Sequence, residues 1–170
     1  RWRQKKDPRY TFRFLMIGGD EKEMPEFRAR VKALGLEDCV EMPGFKTGRD
    51  LLAYYNRADV GVSTLGCFRR GLTRCSSLKA REYAALGLPF LYAYHDDALP
   101  GDAAWALRLP NDDTAVDMGR VAAFVERCRR DPRTVLDERA YAQEVYDWRA
   151  ILREILRFGG VELPAAIEQA

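Results

Sequence analysis

What most constrains this chain is the regular alternation of short apolar segments with longer stretches of helical spacing. Residues 11–19 (TFRFLMIGG), 39–42, 59–63, 89–94 and 105–109 read as strands. Between and after them, residues 24–34, 49–57, 78–86, 114–130 and 138–157 read as helices. Phe27, Val31 and Leu34 form the expected apolar stripe of the first helix. Strand and helix in alternation predict βαβ units, hence a parallel sheet with helices on both faces. The fold class expected is α/β, Rossmann-like. Such sheets bind ligands in the crevice beyond the carboxyl ends of their strands. The loops falling there are 18–23, 45–48, 64–76 and 94–97.

The bulk properties exclude several classes. The chain has 170 residues, of which 47% are hydrophobic, which suits one domain with a proper core. Its 28 Lys and Arg nearly balance 26 Asp and Glu, so no overall field draws it to nucleic acid. No apolar run is long enough to span a bilayer. Cys39, Cys67, Cys75 and Cys128 are scattered, with a single histidine, His95, so no zinc spacing exists. Reduced thiols are the plain reading. Cys67 and Cys75 flank one loop, and one such pair is weak evidence for a link. Asp96-Asp97 and Asp112-Asp113 sit at loop positions and read as turns or caps rather than metal ligands.

The basic opening, RWRQKK, reads as a helix remnant before a turn at Asp7-Pro8. The expectation is a piece of a longer protein lacking at least one upstream strand, against a genuine start with a basic arm. The segment also offers charge to a membrane surface, although a solvated helix end is the plainer reading.

The segment SSLKAREYAALGLP, residues 76–89, carries the candidate chemistry. Leu78, Glu82, Ala85 and Leu86 fall on one stripe at the helical period, which puts Glu82 on the core side. Ser76 or Ser77 is the expected cap. The amides of Ser77, Leu78 and Lys79 would open the first turn, a ready site for a phosphate. A carboxylate one turn further, about 5 Å on, suits a ribose diol. The alternative is an ordinary ion pair between Lys79 and Glu82. The preceding loop, FRRGLTR, holds Arg69, Arg70 and Arg74, with Gly71 letting backbone approach a ligand. A solvated basic loop is its plain alternative. No G-x-G-x-x-G follows a strand, which argues against a dehydrogenase.

Five segments in order resemble one family. FLMIGGD, LGLEDCVEMPGF, LLAYYNRADVGVST, SSLKAREYAALGLPFL and YDWRAILREIL are similar to blocks in the C-terminal, donor-binding domain of group 1 (family 4, retaining) glycosyltransferases of GT-B fold, the capsular-polysaccharide type included. The resemblance spans roughly residues 8–158 and implies a nucleotide-sugar-binding domain over residues 1–158, with 159–170 as a tail. It implies that Glu82 binds the ribose. The backbone of Ser76, Ser77 and Leu78 and the side chain of Lys79 would hold the diphosphate. Gly18 and Gly19 would line the crevice, with Phe45 and Lys46 near the base.

The family carries a second Glu eight positions before Glu82, and this chain has Arg74 there. Phe68 stands where related transferases often have His. The implied reaction moves a sugar from a nucleoside diphosphate to a hydroxyl of a glycan or lipid-linked glycan, with retention and without a metal or other cofactor. Arg70 and Lys79 are the expected catalytic cations, stabilising charge on the departing diphosphate. Acceptor recognition would lie in an N-terminal half, so this piece alone would bind nucleotide and catalyse nothing. The implied setting is cytoplasmic, with peripheral contact at the inner face of the membrane as a variant. The alternative function is a non-catalytic nucleotide-binding or scaffold subunit, which Arg74 favours.

Overall fold

The computed structural model describes residues 9–20 and 22–161, so the basic opening segment and most of the expected tail lie outside the described residues. The chain divides into two compact units, Arg1–Ala58 and Asp59–Ala170. Every strand pairing within a sheet is parallel, as the alternation predicts, and hydrogen bonding groups the strands into one set in each unit.

In the first unit, β1 (Phe14–Ile17) pairs with β2 (Val40–Gly44). Helices α1 (Met24–Ala33) and α2 (Gly48–Tyr55) follow them. The Gly18 amide donates to the Gly44 carbonyl at 3.0 Å, so the two strands end together. Helix α1 buries none of its residues. Its expected stripe is loose: Phe27 is 39% and Leu34 61% exposed. Arg57 clasps Glu41 on β2 through two hydrogen bonds of 2.6 and 3.2 Å.

The second unit holds a sheet of order β3 (Gly61–Val62), β4 (Phe90–Tyr92) and β5 (Ala106–Arg108). Residues 90–94 are buried throughout, so both faces of the central strand are covered. An aromatic chain runs through this core. Phe90 meets Tyr83, Tyr92 and Trp105 at ring distances of 5.7–6.1 Å, and Trp105 meets Tyr141 at 5.6 Å.

Helix α3 (Leu78–Leu86) packs on the sheet through Ala80, Tyr83 and Ala84. The small side chains let it approach closely. A Cβ at Gly61 would lie 2.7–2.8 Å from the Tyr83 ring. Gly61→Ala is therefore expected to lower stability by about 1–3 kcal/mol through overpacking, read by urea denaturation. A change within experimental error would show that Tyr83 has room to move. The helix ends at Gly87, whose φ of +69° suits glycine. Arg139 then satisfies the last turn, donating from Nε and Nη2 to the Leu86 carbonyl at 3.1 and 2.8 Å.

The two expected closing helices are three. Helix α4 (Met118–Arg130) starts later than read, because Asp117 caps it through the amides of Gly119 and Arg120. Helices α5 (Arg133–Tyr141) and α6 (Trp148–Phe158) divide the segment expected to be continuous. A π-helical turn, Ala142–Tyr146, follows α5, and Asp147 then restarts the helix by accepting from the Arg149 amide at 2.7 Å. No helix among the described residues is long and apolar enough to cross a membrane.

Candidate functional site

Helix α3 begins where β3 and its loop deliver the chain to the carboxyl end of the sheet. Its cap residue is Ser77, yet the Ser77 hydroxyl does not cap. It turns inward and accepts from Ser63 Oγ at 3.1 Å. Ser63 Oγ also lies 2.9 Å from the Tyr94 hydroxyl. All three side chains are buried, and burial pushes the Tyr94 phenol above its ordinary range. The Ser77 carbonyl takes the amides of Ala80 and Arg81. Among the described residues, no backbone acceptor or capping side chain meets the amides of Ser77, Leu78 and Lys79. The helix start is thus open, with its dipole positive end uncapped.

Glu82 is not on the core side. The residues that α3 buries are Ala80, Tyr83 and Ala84, so the stripe of Leu78, Glu82 and Ala85 faces outward. Leu78 is 85% exposed. The sequence expectation fails because the leucines of this helix do not mark its packed face; Tyr83 and the small Ala80 and Ala84 do. Glu82 remains one turn from the open amides, on an accessible surface.

The arginine loop folds as a 3₁₀ turn, Cys67–Arg70, closed by Gly71 at a φ of +69°. Asn111 braces it, accepting from the Phe68 amide at 3.1 Å and donating to the Leu72 carbonyl at 2.9 Å. Five cations lie between residues 69 and 81, and acids answer three of them. Arg69 pairs with Asp113 at 2.7 Å. Arg74 pairs with Asp97, which also lies 2.9 Å from His95 Nε2. The Arg74 hydrogen bond, aided by His95, holds the Asp97 carboxyl below its usual range. Arg81 grips Asp96. Arg70 and Lys79 enter no ion pair among the described residues. The Lys79–Glu82 pair considered from sequence does not form. Three of the four paired Asp residues thus serve as ion-pair partners, while Asp112 is a turn, accepting from the Thr114 amide at 2.7 Å. No group of three potential metal ligands comes together among the described residues.

Sequence reasoning missed the support beneath this site. Arg81 Nη1 and Nη2 donate to the two oxygens of Asp96 at 2.9 and 3.0 Å. Nη2 also donates to Ser76 Oγ at 2.8 Å, and the guanidinium lies 4.1 Å from the Tyr146 ring centroid. The Asp96 side chain is 2% exposed. The hydroxyls of Tyr141 and Tyr146 both donate to the Ala98 carbonyl, at 3.0 and 2.6 Å. The loop after β4 is thereby tied to the start of α3 and to the π-helical turn. The only sequence hint was an acid pair next to the sole histidine.

Gly18, Gly19, Phe45 and Lys46 belong to the first unit. There they share the carboxyl end of β1 and β2, since Gly18 is bonded to Gly44. Gly18 and Gly19 adopt φ of +101° and +98°. Phe45 is 74% exposed, and Lys46 Nζ donates to the Pro43 carbonyl at 2.9 Å. In the second unit a shallow cavity of about 220 Å³ opens beside Leu65, Ala93 and Leu109, each just past a strand end. None of the residues expected from sequence lines it.

The sequence matches the family described as "Glycosyl transferases group 1" over residues 1–129. No curated protein matches it. Among solved structures, HepE of Anabaena in complex with UDP aligns at TM-score 0.62 and 15% identity, covering 88% of this chain and 41% of that one. The sucrose-phosphate synthase of Thermosynechococcus elongatus aligns at TM-score 0.59 and 21% identity, covering 85% and 37%. HepE in complex with UDP and glucose aligns at TM-score 0.57 and 15% identity, covering 86% and 39%. The chain thus spans about two fifths of the length of these structures. At such identities the likeness is one of fold.

Proposed function

We propose a donor-side role from a single premise: this chain belongs to the group 1 glycosyl transferases. Its α/β fold with parallel strands matches the C-terminal half of GT-B glycosyltransferases. Residues 1–158 then form the nucleotide-sugar-binding domain of a retaining transferase. The bond between the anomeric carbon and the phosphate oxygen breaks, and the sugar passes to an acceptor hydroxyl with its configuration kept. Acceptor contacts lie elsewhere in the full-length protein.

The observation that carries this reading is the open start of α3. Its amides at Ser77, Leu78 and Lys79 are available because the Ser77 hydroxyl serves the buried network instead. An uncapped helix start favours an anion. Lys79 and Arg70, the two cations of residues 69–81 that enter no ion pair among the described residues, supply the charge that a departing diphosphate needs. Gly71 lets the loop backbone come close. The UDP held by HepE in its crystals supports a nucleoside diphosphate as the ligand class.

Glu82 takes the ribose in this proposal. Its exposure removes one support, since a buried carboxylate would have demanded a partner and an exposed one does not. What remains is its position one turn beyond the open amides and its place in the family pattern.

Titration calorimetry of the full-length protein with UDP, GDP and ADP tests this. One of them binds, and Glu82→Ala weakens it about tenfold, or about 1.4 kcal/mol. Lys79→Ala weakens the diphosphate and leaves the free nucleoside unchanged. Unchanged affinity in Glu82→Ala rejects the ribose assignment. No binding by any of the three rejects the donor-side role.

The second reading is a nucleotide-binding subunit without turnover. It rests on Arg74, which stands at the family Glu position and is held by Asp97. Tight nucleotide binding without sugar transfer by the full-length protein would select it.

A further inference from the structure

We propose that the cavity past the strand ends of the second unit is a second ligand site, taking a neutral polyhydroxyl compound the size of one sugar ring. The cavity holds about 220 Å³. At about 30 Å³ per water that is room for about seven waters, the bulk of such a ring. Its floor is aliphatic, made by Leu65, Ala93 and Leu109, which follow β3, β4 and β5. The carboxyl ends of parallel strands are where α/β sheets take their ligands. It is not the α3 site. Ala93 lines the cavity while the next residue, Tyr94, joins the serine network beneath α3, so the two lie on opposite sides of the sheet.

The rim is polar and is held in place by the protein itself. It is the loop from β5 to α4. Asn111 ties this loop to the arginine loop through the Phe68 amide and the Leu72 carbonyl, and Arg69 adds an ion pair to Asp113. Asp112 holds the Thr114 amide at 2.7 Å, and Asp117 caps α4. A preformed cavity with a few fixed polar groups is what a small-molecule site requires.

The charges of the rim choose the ligand. Asp112, Asp117 and Arg120 all line the cavity. The hydrogen bonds of Thr114 hold the Asp112 carboxyl below its usual range, so it stays ionised at neutral pH. Each carboxylate accepts further hydrogen bonds, since its two oxygens offer about four lone-pair sites. Arg120 enters no ion pair among the described residues, which leaves its guanidinium to donate. Two negative charges thus meet one positive charge and the positive end of α4, worth about half a charge. The sum is close to balance. An anion meets two carboxylates there, and a cation meets Arg120 and a helix start. A neutral polyol meets neither obstacle. Its hydroxyls donate to Asp112 and Asp117 and accept from Arg120, while its C–H face rests on the two leucines.

Saturation-transfer NMR and titration of the full-length protein, without nucleotide and at neutral pH, test this. The probes are methyl glucoside, methyl galactoside and methyl mannoside, with glucosamine and glucuronate as charged controls. At least one neutral glycoside is expected to bind in the millimolar range, and both charged sugars about tenfold more weakly. Val116 stands at the rim, 39% exposed. Val116→Trp should fill the space and abolish the signal, and Arg120→Ala should weaken binding about tenfold. Circular dichroism melts check that each variant is folded; if Val116→Trp melts early, Arg120→Ala decides alone. The proposal is overturned if no neutral glycoside binds, if a charged sugar binds as tightly as the neutral ones, or if a folded variant binds like the parent. No nucleotide takes part, so each of these outcomes leaves the donor-side reading standing.

Discussion

Replacing Arg81 with alanine should destabilise the protein by about 3–5 kcal/mol, because it strands a buried carboxylate. The Asp96 side chain is 2% exposed and that of Arg81 18%. The pair is planar and two-pronged, so Arg81→Lys should recover only part of the loss. For a chain of this size the alanine variant should melt roughly 6–20 °C lower. The effect should also reach the candidate ligand site, since the same guanidinium holds Ser76 Oγ at the entry to α3. Urea denaturation of both variants checks this. A loss below 1 kcal/mol would mean that Asp96 finds water or another donor once Arg81 is gone.

Glu138 should make stability fall as the solution becomes more alkaline. It is 0% exposed on α5, and neither carboxylate oxygen has a hydrogen-bond partner among the described residues. Burial raises its pKa to about 9, against a smaller opposing pull from Arg139. The nearby Cys128 thiol of α4 is itself pushed up by burial. The folded state therefore keeps the Glu138 proton where the unfolded chain has released it. Its contribution is fully present below about pH 4.5 and declines up to about pH 9. The slope in that window is about 1.4 kcal/mol per pH unit. Glu138→Gln keeps the shape and removes the titration. Its stability relative to the parent should be near equal at pH 5 and should rise at each step to pH 8. Parallel stability curves for parent and variant would show that the carboxyl ionises without penalty, by movement or by hydration.

Local signals were legible in the sequence, and distant ones were not. Helix α3 runs Leu78–Leu86, as read from serines before it and Gly-Leu-Pro after it. Parallel pairing followed from strand–helix alternation. The packed face of α3 was misread because alanines carry little pattern weight, although here they are what lets the helix reach the sheet. The division between α5 and α6 had a signal in Asp147 before Trp148, a usual start motif that helical periodicity overrode. The Arg81–Asp96 pair and the Ser63–Ser77–Tyr94 network join residues 14–31 positions apart. No spacing rule announces such partners. Glu138 looked like any surface acid of an amphipathic helix, since burial depends on what α4 and α5 cover.

The π-helical turn has a consequence for which substitutions this region tolerates. In a regular α-helix, residues five apart point about 140° away from each other. The wider turn after Tyr141 swings Tyr146 round beside it, with ring centres 5.5 Å apart, and both phenols reach one carbonyl. That acceptor is backbone, so no change of side chain at position 98 can erase it. The fastening is therefore vulnerable at 141 and 146, and above all to rewinding of the turn as regular α-helix with its full count of residues, which would leave every atom of the acceptor in place and point one hydroxyl away from it.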